Sequence, residues 1–365
     1  MHVPTARPCA VTAFGALTRD QQVEHVVQAA GLSPSIHNTQ PWSFALVGDA
    51  LALEADRSRS LPVTDPSGRQ LVISCGSALG HARAAARGLG LSAAVQLLPD
   101  PARPDLLALL DLSPGPPPSA SEVQLATAIL HRHTFRGTFP GGGLPDGLLE
   151  VLRQVAERED VTLSQVSRHD DLLELEVLLS RADDEQQRDP AHARELAGWL
   201  RDGPAEDGLP TSVVDQVASG SSLRQRDFTG THPSLANGSA PEVDHPVVVV
   251  LTTSVDGPQS WLQAGQALAG VLLRAAEHDV QAQPLGQVTD TEGYRERLRV
   301  ALSLVGVPQL VLRMGVTHEH LVATPRRSAQ ELLEGRSAQE LLEGRSAPEL
   351  LEGRSAPEKL DDVTR

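Results

Sequence analysis

With 365 residues, 40% of them hydrophobic, the chain can bury a sizeable core as one large or two medium domains. Aromatics are only 2%, so Ala, Val and Leu must fill that core. A formal net charge of -16 excludes the clustered Lys and Arg that binding to a nucleic-acid backbone requires, and no nucleic-acid partner is expected.

In chain order, Thr18–Gly31 carries Val23, Val26, Val27 and Ala30 at helical spacing between a Thr or Asp cap and a Gly stop, which predicts a helix. The polar decapeptide SPSIHNTQPW, Ser33–Trp42, follows it. Its hydroxyls and carboxamides donate and accept at short reach while Pro34 and Pro41 stiffen the backbone, so it suits a flat, neutral partner edged with heteroatoms. Ser43–Val47 and Leu51–Ala55 around Gly48-Asp49 predict a hairpin. A turn at Asp65–Gly68 leads into an Ala- and Leu-rich helix over Leu71–Leu89, closed by Gly88 and Gly90, with a strand over Ser92–Leu98 beyond. Pro99–Ser121 is rich in proline and reads as strand remnants plus a linker.

After the linker the order of elements begins again, with helix Glu122–His131, a Gly-rich turn at Gly141–Gly143, helix Asp146–Glu157 and strand Val161–Val166, which suggests two half-units. Helices are predicted over Asp170–Arg181 and Ala191–Arg201. Asp202–Pro246 is dense in Gly, Ser, Pro, Asn and Asp, too long for an ordinary loop, and is expected to form a partly ordered lid. Val247–Thr252 reads as a buried central strand, and Gln309–Arg313 as the last one. Between them Trp261–His278 predicts a helix in which Gly265 and Gly270 allow close packing. From Arg327 the chain repeats RSAQELLEG, RSAQELLEG, RSAPELLEG and RSAPEKLDD. Each unit pairs Ser with Glu three residues on, a capping-box pattern, yet its few leucines bury almost nothing alone, so a largely disordered tail is expected.

Cys9 and Cys75 are far apart and form no CxxC, so neither a disulfide framework nor a zinc site is indicated; Cys75 reads as a small packing residue. His131-x-His133 and His318-x-His320 lack metal-motif spacing, so no metal is expected. No run approaches the ~20 apolar residues that span a bilayer, and no apolar leader opens the chain, which implies a cytoplasmic protein with no membrane partner.

Ser35, Asn38, Gln40, Pro41 and Trp42 form a Ser-x-x-Asn-x-Gln-Pro-Trp pattern that resembles the FMN-binding loop of the nitroreductase superfamily. DPSGRQLVISCGSAL, Asp65–Leu79, resembles the helix-opening segment of its Acg-type branch, in which two half-units are fused in one chain. Arg132, Thr134 and Arg136 are similar to the phosphate-binding Arg-x-Ser/Thr-x-Arg motif of the family, and Arg326 and Arg327 to the basic motif that closes the same pocket. Guanidinium suits both places because it meets phosphate with paired hydrogen bonds. Pro284, Leu285, Gly286 and Gln287 resemble the segment whose backbone N–H groups face the flavin ring edge, although Gln287 stands where Gly is common. His37 lies in the flavin loop and is a candidate for the substrate face; the flavin itself would carry the chemistry.

The resemblance implies an α+β fold, with a mixed, mostly antiparallel sheet between helical layers built from two tandem half-units. These are residues 1–118, and 119–327 with the lid at 202–246, followed by the repeat tail 328–365. Because one half holds the loop and the other the phosphate motif, one FMN per chain is implied. The fused halves would replace the homodimer of ordinary nitroreductases, giving a monomer that acts as a pseudo-dimer, or a weak homodimer. The implied activity is ping-pong, with NAD(P)H reducing the flavin and a nitroaromatic, quinone or similar acceptor taking the electrons. A catalytically silent FMN-storage protein with a closed lid is the other reading.

Overall fold

The computed structural model describes residues 17–141, 143–214, 223, 225–226, 244–317 and 323–333. Thr18 caps helix α1 (Arg19–Gly31) through a capping box with Gln21, so Thr rather than Asp starts it. The loop Ser33–Pro41 then leads into β1 (Trp42–Val47) and β2 (Ala50–Ala55), an antiparallel pair that turns at Gly48 (φ 61°) and Asp49. Helix α2 (Arg69–Gly88), β3 (Val95–Leu97) and β4 (Leu106–Asp111) complete a first sheet in the order β1-β2-β4-β3. The Pro-rich stretch expected to hold only strand remnants thus supplies a six-residue interior strand, LLALLD, whose apolar run is buried among its neighbours.

The second half repeats the plan. In chain order it has helices α3 (Ala120–Ala128) and α4 (Leu148–Glu157), strand β5 (Val161–Val166), and helices α5 (His169–Arg188) and α6 (Pro190–Ala197), with Ala128 of α3 packed into the first-half core. The short pair β6 (Leu200–Arg201) and β7 (Leu209–Pro210) is parallel and leads to α7 (Thr211–Val214). Strand β8 (Val247–Thr253), helix α8 (Pro258–Ala276), β9 (Val280–Pro284), α9 (Gln287–Asp290), α10 (Tyr294–Ala301) and β10 (Val307–Val316) follow. They close a second antiparallel sheet, β5-β8-β10-β9, with β8 interior as its β-branched run implied. The α+β class therefore holds, with the strands divided into two main sheets, one from each half, rather than joined in one. Helices α4 and α8 cover one face of the second sheet, and α5, α9 and α10 the other.

The two halves meet where α2 crosses α8. A Cβ at Gly265 would lie 2.1 Å from the Ile73 carbonyl oxygen and 2.7 Å from the Gly76 Cα, and one at Gly80 would lie 2.5 Å from the Ala269 Cβ. These glycines bring the backbones close, and Gly270 makes room for the Val155 side chain of α4. Leu262, Leu273 and Ala276 of α8 belong to the core of the first half, and Ile73 of α2 to that of the second.

The tail expectation needs correction at its start. Within the first repeat, Ala329–Leu333 forms helix α11, capped by Ser328 and Glu331, and Leu332 is fully buried against α1. The unit borrows an apolar face from α1, which supplies the burial it lacks alone. The later units, 334–365, and most of the expected lid, 215–222, 224 and 227–243, lie outside the described residues.

Two outcomes test this packing. Gly265→Ala should destabilise the protein by about 3 kcal/mol in denaturant unfolding, because the added carbon clashes with α2 backbone atoms, which cannot move aside as a side chain can. Gly203→Ala, with nothing within 4 Å of the added carbon, should stay within about 0.5 kcal/mol of the parent. Asp65 accepts the Leu71 N–H at 2.9 Å, and burial pushes its carboxyl from 3.8 up to about 6. Because the folded-state value lies above the unfolded one, ionising this group costs stability as pH rises through that interval. Asp65→Asn should therefore gain about 2 kcal/mol relative to the parent between pH 4 and 7, read from urea midpoints.

Candidate functional site

Three non-glycine residues of the 33–41 loop stand in the left-handed region: His37 (φ 48°), Asn38 (φ 56°) and Gln40 (φ 49°). Such strain persists only where surroundings over-determine the backbone. Here the Ser35 hydroxyl accepts the Gln40 N–H at 2.9 Å, Ser33 donates to or accepts from Ser77 of α2 at 2.8 Å, and Ser74 of α2 accepts the Ile36 N–H at 3.3 Å. Asn38 donates to the carbonyls of Gly208 (2.9 Å) and Pro325 (3.0 Å), while its Oδ1 accepts from Arg326. Gln40 donates to the Glu206 carbonyl at 2.8 Å and accepts the Arg327 N–H at 2.9 Å. Both carboxamides therefore tie the loop to two distant chain segments.

The other predicted motif, Arg132–Arg136, runs beside β9: Thr134 bridges to Ala282 in parallel register, and the Phe135 N–H donates to the Ala282 carbonyl at 3.2 Å. In extended backbone, residues two apart share a face, so Arg132, Thr134 and Arg136 lie along one side. Arg132 is buried and donates to the Leu32 carbonyl at 3.2 Å; Arg326 reaches the same carbonyl at 3.4 Å. The loop, the second-half motif and the C-terminal pair thus converge around the end of α1. Arg327 joins them from the outside, donating to the carbonyls of Gln40 and Trp42, both at 3.2 Å.

Several nitrogens here are enclosed without any hydrogen-bond partner: Nε and Nη1 of Arg132, Nη1 of Arg136 and Nε of Arg326. Burial pushes Arg132 down to about 9, with the Arg326 charge adding to it, and pushes Arg136 and Arg326 down to about 10. All three remain cationic near neutrality. Concentrated, desolvated like charge with unused donors is costly unless an anion neutralises it.

Beside this cationic end lies a cavity of about 120 Å³. Its wall includes Pro34–His37, Ile73, Ser74, Thr134, Arg136, Leu268, Pro284–Gln287, Leu310 and Val311. Pro284 ends β9, and the Leu285 N–H continues the pairing by donating to the Val311 carbonyl at 2.8 Å. Ser35, Thr134, Arg136, Pro284, Leu285, Gly286 and Gln287 are thereby brought to one cavity, together with His37. Asn38, Gln40, Arg132, Arg326 and Arg327 are not on its wall; they form the adjoining cluster. A small cavity with mixed polar and apolar walls thus lies next to guanidinium groups with unused donors, an arrangement that suits an anion.

Sequence reading missed further groups of this wall, which Gln70, Arg226 and Asp290 also line. Asp290 is buried and accepts from Arg69 Nη2 (2.8 Å) and Gln70 Nε2 (2.6 Å), with Arg226 Nη2 at 3.9 Å. Arg226 Nη1 also lies 3.0 Å from His192 Nε2. His37 Nε2 is buried without a partner, and burial, reinforced by the charges of Arg226, His192 and Arg136, holds its imidazole well below the usual range. His81 of α2 is fully buried and held near 3 by burial and the Arg132 charge. The available signal for His81 was its place in the Ala- and Leu-rich half of α2; Arg226 carried none. Cys75 is an enclosed packing residue whose thiol burial pushes up, and its Sγ lies 3.2 Å from the Pro41 carbonyl oxygen. Among the described residues no helix is long and apolar enough to cross a membrane.

No family model matches the chain. It is 31% identical over 318 residues to Rv3131 of Mycobacterium tuberculosis H37Rv, named as a candidate NAD(P)H nitroreductase, across 86% of this chain and 91% of that one. Identity is also 31% over 322 residues to acg of the same organism, named in the same way, across 86% and 96%. Among solved structures, the FMN- and NADPH-dependent nitroreductase NfnB from Sphigopyxis sp. strain HMH is 17% identical and covers 58% of this chain and 98% of its own. Its TM-score of 0.37 is too low to argue from.

The guanidinium cluster predicts a simple titration. Arg132→Met should stabilise the ligand-free protein by about 1–2 kcal/mol, since an unpaired buried charge is replaced by an apolar chain of similar length. Millimolar inorganic phosphate should raise the parent Tm and leave that of the variant unmoved, as scanning calorimetry would read.

Proposed function

The chain belongs to the nitroreductase family of oxidoreductases, in the branch that contains acg, and from that premise we propose that it binds one FMN per chain and passes electrons from NAD(P)H to a small organic acceptor. The observation that carries the reading is the set of unpartnered buried nitrogens on Arg132, Arg136 and Arg326, beside a cavity edged by the strained loop and by Pro284–Gln287. Arg132, Arg136, Arg326 and the Thr134 hydroxyl would hold the phosphate. Ser35 and the backbone of Pro284–Gln287 would border the ring. Asn38, Gln40 and Arg327 would position the loop rather than touch the ligand, since their groups already serve the 206–208 and 325–327 segments. When bound, FMN supplies the hydride acceptor and donor.

The protein's part is electrostatic and steric. Guanidinium groups fixed before the ligand arrives need little reorganisation, and donors aimed where charge develops act most strongly in a water-poor cavity. His37, held neutral, offers the acceptor side of the cavity a hydrogen-bonding group without added charge. A ping-pong cycle would follow, because one small cavity leaves NAD(P)H and acceptor to use the same face in turn; nitroaromatics and quinones suit it by their flat shape.

The storage reading has its own supporting observation: Leu209 and Arg226, both from the segment 202–246, form part of the cavity wall. A single preparation separates the two. The purified protein should be yellow with FMN near one per chain, and replacing Arg132 and Arg136 together by Ala should weaken FMN binding by about 100-fold or more. Protein that is colourless and takes up no FMN rejects the cofactor assignment. Anaerobic NAD(P)H should bleach the flavin within seconds; persistence of the yellow form selects storage.

A further inference from the structure

Helix α11 sits on the α1 face through a small set of contacts, all made by the first repeat unit. Arg327 reaches the Gln40 and Trp42 carbonyls, Ser328 and Glu331 cap the helix, and Ala329 and Leu332 are buried, with Leu332 Cδ1 so close to Gly31 that a Cβ there would lie 3.0 Å away. The next nine residues, Arg336–Gly344, have the same sequence, RSAQELLEG, and lie outside the described residues. Every side chain used in docking the first unit therefore has a counterpart in the second: Arg336, Ser337, Ala338, Glu340 and Leu341.

We infer that the α1 face is a docking surface for the repeat unit as such, and that its second occupant is Arg336–Gly344 of the same chain, exchanging with the first unit by a nine-residue slip. Two differences separate the registers. The slip roughly doubles the segment that runs from the end of β10 to the docked unit, a change that lowers the population only about threefold. It also places Gly335, instead of Arg326, before the docked Arg, so the contacts of Arg326 with Asn38 and with the Leu32 carbonyl are lost. Arg326 therefore sets the first register as the major one. On the cofactor reading proposed above, a phosphate at Arg132 and Arg326 favours that register further, and slipping withdraws one guanidinium from the phosphate. The docking exchange itself does not depend on that reading.

The test is a non-additivity measurement on the full chain, read as Tm, with three variants: Leu332→Asp; Leu341→Asp with Leu350→Asp; and all three together. The second variant removes the apolar anchors of the later units and should leave Tm unchanged. Leu332→Asp should lower Tm by only about 2 °C, because the second unit refills the face, and the triple variant by about 8 °C. Additive shifts overturn the proposal, as does failure of Leu332→Asp to fold while the later units are intact; Leu332→Ala gives the same comparison with a milder change. A Tm of Leu332→Asp that rises with protein concentration would mean that a second copy supplies the unit, which overturns the same-chain assignment. Colourless protein leaves this measurement valid, so its outcome and that of the FMN assignment are read separately.

Discussion

The contact between α2 and α8 is the constraint on which the rest of the molecule depends. The two sheets pack against helices of their own halves, yet the cores are shared, with Ile73 of α2 in one and Leu262, Leu273 and Ala276 of α8 in the other. That sharing requires the two helix backbones to touch, and only glycine at 76 and 265 allows it. With the crossing fixed, the serines of α2 that support the 33–41 loop, Ser74 and Ser77, are held at a set distance from the strands of the other half. A cavity bounded by both halves is the geometric consequence.

The site is built on unfavourable local terms. Left-handed conformations at His37, Asn38 and Gln40 each disfavour the free loop, and desolvated guanidinium groups with unused donors, Arg132 beside Arg326 and Arg136 on the cavity wall, disfavour the ligand-free fold. The compensating hydrogen bonds come from far along the chain, at 206–208 and 325–327. An anion recovers the unused donors without moving them, which is why the arrangement reads as preorganised for phosphate.

The C-terminal segment has two roles that are usually separate. Arg326 and Arg327 complete the guanidinium cluster and the loop, while the residues just after them supply Leu332 to the core of the first half. Closing the site and anchoring the chain end are therefore one event. The repeat unit that starts there can only be stable because α1 presents an apolar face, with Val23, Val26, Val27 and Ala30 already committed to the same core.

Regular elements and motifs were legible in the sequence wherever local physics decides. Periodic valines and a capping Thr marked α1, Gly48-Asp49 marked the first hairpin, and the β-branched run marked β8. Gly265 and Gly270 announced close helix packing, but not their partners. The tertiary structure alone decided that the strands divide into two sheets, that LLALLD in a Pro-rich stretch is an interior strand, and that the first repeat unit docks on α1. It also decided that Asn38 and Gln40 fasten the loop while Arg226 and Asp290 line the cavity, with His192 beside Arg226. Propensity and pattern act over a few residues, whereas burial, charge neutralisation and the choice of hydrogen-bond partner depend on what the folded chain brings near from more than a hundred positions away.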